Sequence, residues 1–84
     1  MTWKPTHSRP LRDENLHRIT FEKGEGDDVQ EVEVDVWVHW RRSAAHEPYE
    51  SSFSVDGWVD DDELRKYINE NEDDLADFTN QFNR

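Results

Sequence analysis

Residues 30–40, QEVEVDVWVHW, decide how this chain folds. Val32, Val34, Val36, Val38 and Trp40 alternate with Glu31, Glu33, Asp35, Trp37 and His39. A strict period of two, carried by β-branched and aromatic residues, predicts a strand with one buried face. On its N-terminal side, residues 17–22 put Ile19 and Phe21 on a common face, and Gly24 and Gly26 lie in a turn over residues 23–28. The two runs therefore form an antiparallel hairpin.

On the C-terminal side, residues 41–48 break the alternation. Tyr49, Ser51, Phe53 and Val55 then alternate with Glu50, Ser52, Ser54 and Asp56, which predicts a further strand ended by Asp56 and Gly57. A sheet with one apolar face needs a cover, and the C-terminal segment supplies it. Asp60 and Glu63 have the spacing of a capping box, and Asp61, Asp62 and Glu63 complement the positive end of a helix dipole. Leu64, Ile68, Leu75, Phe78 and Phe82 follow steps of four and three if Asn71 fills the missing place, and Tyr67 widens the stripe. This pattern suits one long helix or two short ones hinged near residues 69–71; Asn71 with Asp74 favours the hinge. Trp58 is expected to pack on this segment as a staple.

The expected class is α+β: a three-stranded antiparallel meander with a C-terminal helical segment packed on one face. Its core would hold Ile19, Phe21, Val32, Val34, Val36, Val38, Trp40, Phe53, Val55, Leu64, Ile68, Leu75 and Phe78. Residues 1–15 contain Pro5 and Pro10 and little apolar periodicity, so they are read as an extended basic arm with Trp3 as its anchor. Residues 16–84 then make up a single small domain.

Charge narrows the function. Twenty-one acidic residues face ten basic ones in 84, a formal net charge of −11. Residues 1–18 carry a net +2, so the excess lies in the rest of the chain. Repulsion of this size opposes folding and disfavours direct contact with nucleic acid or an anionic membrane. Four Trp, four Phe and two Tyr offset the low hydrophobic content of 32%. There is no cysteine, hence no disulfide and no thiolate metal site. No apolar leader or spanning segment is evident, and the cytoplasm is the expected compartment.

The chemistry of a site is hard to find. His39 and His46, with Glu47 between strands, lack the spacing of a zinc centre. The acidic runs at residues 60–63 and 72–74 lack the glycine of a calcium loop, and the first reads better as a helix start. No nucleophile elbow or phosphate loop occurs. The expectation is a non-enzymatic protein with no metal and no cofactor.

What remains is a surface. Glu31, Glu33 and Asp35 recur at every second residue of the central strand, roughly 6.6 Å apart. Asp62, Glu70, Asp73 and Asp77 lie opposite the apolar stripe of the helical segment, where residues three or four apart stand about 5–6 Å from each other. Trp37 shares the face of the strand acids and suits an interface anchor. In size and charge alone the chain resembles the small acidic inhibitors of phage or immunity type that act on restriction, CRISPR or other nucleic-acid enzymes. The resemblance implies a DNA or RNA mimic in the basic groove of such a partner, recognised through these eight residues. The alternatives are an acidic adaptor or homodimer assembled through Leu75, Phe78 and Phe82, and a domain adapted to salt.

Overall fold

A computed structural model describes residues 2–42 and 49–82. The alternating run becomes β3 (Gln30–Arg42), the longest strand of the sheet. It pairs antiparallel with β2 (Leu16–Lys23), Ile19 opposite Val34 and Phe21 opposite Val32, and with β4 (Tyr49–Val55), Val38 opposite Phe53. The turn between β2 and β3 depends on Gly24, at φ +118°, where a Cβ would come within 2.2 Å of the Asp28 carbonyl oxygen.

The sheet has four strands, not the expected three. Residues 4–10 of the expected arm form β1 (Lys4–Pro10), paired antiparallel with β2. Two prolines argued against a strand here, but β1 is an edge, where a missing N–H is tolerated. The register shifts between Pro5 and His7, and the Thr6 hydroxyl donates to the Thr20 carbonyl at 3.3 Å. Sheet order follows chain order, β1-β2-β3-β4.

Two helices follow, α1 (Asp62–Glu70) and α2 (Glu72–Phe82), and the stripe breaks at Asn71. The Asn71 backbone N–H closes α1 on the Ile68 carbonyl, and the Asn71 carbonyl accepts from Leu75 N–H to open α2. The N-cap of α1 is Asp61, one residue later than the capping box suggests; its Oδ1 accepts from Leu64 N–H at 2.8 Å.

The helices cover the face of the sheet that carries Ile19, Phe21, Val34, Val36 and Val38, against which Leu64, Ile68, Leu75 and Ala76 are buried. α2 touches both edge strands, β1 and β4, and so crosses the sheet. Phe21 meets Tyr67 of α1 edge to face at 6.2 Å. Burial also raises the Tyr67 phenol above its ordinary pKa, with Asp74 adding to the effect. Trp3, Val59 and Ala76 join the core beyond the expected set, while Val32, Phe53, Val55 and Phe78 are only partly buried. The Trp40 and Phe82 side chains, and His46 and Glu47, lie outside the described residues.

Trp3, just before β1, is buried in the core. Its indole is 2% exposed, and Lys23 Nζ lies 5.7 Å from the ring centroid while bonding Glu63 of α1 at 2.6 Å. One lysine thus ties the entry to β1, the end of β2 and the first turn of α1.

Candidate partner-binding surface

Alternation along β3 places Glu31, Glu33, Asp35 and Trp37 on the sheet face away from the helices. Asp62, Glu70, Asp73 and Asp77 sit on the helices that cover the other face. The eight residues singled out from the sequence are therefore two groups of four, with the core between them.

The sheet group is largely engaged within the molecule. Arg18, opposite Asp35 in the register, donates from Nε to Oδ1 at 2.8 Å and from Nη2 to Oδ2 at 3.2 Å. The same Nε lies 3.6 Å from Glu33. Paired charge-assisted bonds of this kind are strong and directional. They hold the Asp35 carboxyl below its ordinary pKa, partly opposed by desolvation, and raise Arg18 above its own. Trp37 is half-buried, its ring parallel to that of His39 with centroids 6.1 Å apart. Glu31 is exposed.

The helix group divides. Asp62 accepts a hydrogen bond from Arg65, and Glu70 lies 4.0 Å from Lys66. Asp73 and Asp77 are exposed, and no ion pair reaches them among the described residues. Asp74 is also exposed and lies beside Asp77 on the outer side of α2, whereas Glu72, exposed at the first residue of the helix, is on the side that buries Ala76 and Thr79. From the sequence, Asp74 reads only with Asn71 as a helix restart, and Glu72 only as part of an acidic run weighed for calcium. From Glu72 to Phe82 the helix holds four carboxylates and no cation.

A third feature was not foreseen. Residues 56–61 run from β4 to α1 past the edge of β3 and enclose a cleft of about 510 Å³ lined by Val32, Glu33, Asp35, Asp56, Trp58 and Asp61, among others. Trp58 is 74% exposed, and its staple role is taken by a cation contact instead: the Arg65 guanidinium lies 4.4 Å from the ring centroid. Arg65 also donates to the Val59 carbonyl at 3.1 Å, which fixes this segment to α1.

Among the described residues, no group of three or more His, Asp or Glu is placed to hold a metal ion, and no helix is long and apolar enough to cross a membrane. Comparison of the chain with protein-family models, with curated proteins and with solved structures gives no match.

Proposed function

We propose that this chain is a non-enzymatic acidic protein that occupies the basic nucleic-acid groove of a partner enzyme in the cytoplasm, using the outer face of α2. The observation that carries this reading is the row Asp73, Asp74 and Asp77 on the outer side of α2, all exposed and without ion pairs among the described residues. Carboxylates already bound to arginine have little left to offer a partner, which demotes Asp35 and, in part, Glu33. A row of free carboxylates gains when lysines and arginines replace its counterions, as a phosphate row does. Steering between opposite charges would make association fast at low salt.

An adaptor working through apolar helix contacts is less well supported, because Leu75 is 1% exposed and belongs to the core. The test is capture from bacterial lysate with the wild-type chain and with an Asp73→Lys/Asp77→Lys variant. The expected result is a nucleic-acid enzyme that elutes with salt, is displaced by duplex DNA or RNA, and is not retained by the variant. Equal retention by both proteins, or retention that nucleic acid does not displace, overturns the proposal.

A further inference from the structure

β3 is longer than its neighbour on one side. β2 pairs with it from Gln30 to Trp37, but β4 pairs only from Val36 onward. On the β4 side, residues 30–34 therefore have no strand partner, and residues 56–61 border part of this edge across the cleft. Two hydrogen bonds fix which backbone groups face that edge. Val38 N–H donates to the Asn15 carbonyl on the β2 side, and the Asp35 carbonyl accepts from Asp56 N–H on the β4 side. Since direction alternates along a strand, the N–H and C=O of Glu31 and Glu33 point out of the sheet edge. Asp56 already uses the next position and marks where an added strand would have to stop.

The side chains state what such a strand must carry. Across the outer face, the row through Glu31 reads Lys4, Glu22, Glu31 and then the open edge. Glu22 and Glu31 are directly opposed, an unfavourable pairing that a cation on the far side of Glu31 would relieve. The next row ends on Glu33, which has only a share of Arg18. On the other side of the edge the cleft offers Val32, Val59 and the exposed Trp58.

We propose that the open edge of β3 binds an extended segment of a partner protein, adding it to the sheet as a fifth strand. Its pattern is basic–apolar–basic: Lys or Arg beside Glu31 and Glu33, with an apolar residue between them facing Val32 and Trp58. Backbone bonds to Glu31 and Glu33 supply affinity, and the alternation supplies selectivity. A second copy of this chain is a poor occupant, because its own β3 edge would bring Glu31 and Glu33 against like charges. This site is separate from the acidic row of α2 and stands or falls independently of it.

The test uses the intact chain and end-capped peptides, followed by amide NMR. KVKVK is expected to shift and protect the Glu31 and Glu33 amides, while KKKVV, with the same composition, does so at least about tenfold more weakly. N-methylation of the KVKVK amides that face the edge, which leaves charge unchanged, should abolish binding. The Glu31→Lys/Glu33→Lys variant should lose KVKVK and gain EVEVE, with circular dichroism confirming its fold. Equal binding of KVKVK and KKKVV, unaffected binding of the methylated peptide, or shifts centred on α2 would overturn the proposal. So would concentration-dependent dimerisation that protects the same two amides without peptide.

Discussion

The sheet and the helical part of this molecule treat charge in opposite ways. Residues 2–42 hold nine acidic and seven basic side chains; residues 56–82 hold ten acidic side chains against Arg65 and Lys66. In the sheet, Arg18 binds Asp35 and Lys23 reaches across to Glu63, so charge is used to join elements. On α2 it is left facing solvent. Paired charge records how the chain is held together, whereas unpaired charge stays at the surface, in contact with solvent. Net charge alone does not show this division, because it counts carboxylates without telling paired ones from unpaired ones.

The strongest test of the division removes what joins the two regions. Phe21 is fully buried between the sheet and Tyr67. Truncation to Ala deletes a large apolar volume that a small core cannot refill, and costs about 3–5 kcal/mol. In so small a domain that is comparable to the whole stability. Phe21→Ala should therefore unfold by urea at a far lower midpoint, sheet and helix signals falling together. A helix signal that survives would mean that the helices do not depend on the sheet.

The part of the fold legible in the sequence was the part governed by simple periodicity. Val32 to Val38 could only be a strand with one apolar face, and the step pattern from Leu64 to Phe78 located the helical segment and its weak place near Asn71, leaving one helix or two open. β1 was hidden because its sequence, KPTHSRP, shows no apolar alternation and has Thr6 as its one residue of the usual strand types. It is held by register with β2 and by Trp3 and Ser8 burying against the body, and these are tertiary effects. The site was legible to the same extent. Local spacing placed Glu31, Glu33, Asp35 and Trp37 on one face correctly. That Arg18 would neutralise Asp35 needed the pairing of β2 with β3, and that the helix acids lie behind the sheet needed the packing. The open edge of β3 follows from where β4 ends, which is a property of two strands together.

A smaller effect tests the sheet region by itself. Asp35 has its carboxyl pKa lowered by Arg18, so the folded chain binds fewer protons than the unfolded chain as acid is added. Its contribution is full above the ordinary aspartate value of about 3.9 and disappears as pH falls through the lower folded value. Asp35→Asn should lower the melting temperature at pH 7, and the two melting curves should converge in stronger acid. A difference that persists unchanged there would mean that packing, not the Arg18 pair, explains the loss.

The smallest effect is expected in the helical region, and it has the opposite sign. Asp73 and Asp77 are four apart on α2, exposed and both negative, and such pairs destabilise a helix by a few tenths of a kcal/mol. Asp77→Lys replaces that repulsion by an acid-to-lysine pair in its better orientation and removes two units of negative charge from an overcharged surface. The variant should be more stable by about 0.5 kcal/mol, seen as a small rise in urea midpoint that shrinks as salt is added. Loss of stability would show that Asp77 has a structural partner and would place α2 with the sheet as a region of internally used charge. A gain in stability joined to a loss of partner capture would make the row a feature that costs the fold and serves binding. That pairing of outcomes separates a retained interaction surface from ordinary solvation, which would leave capture unchanged.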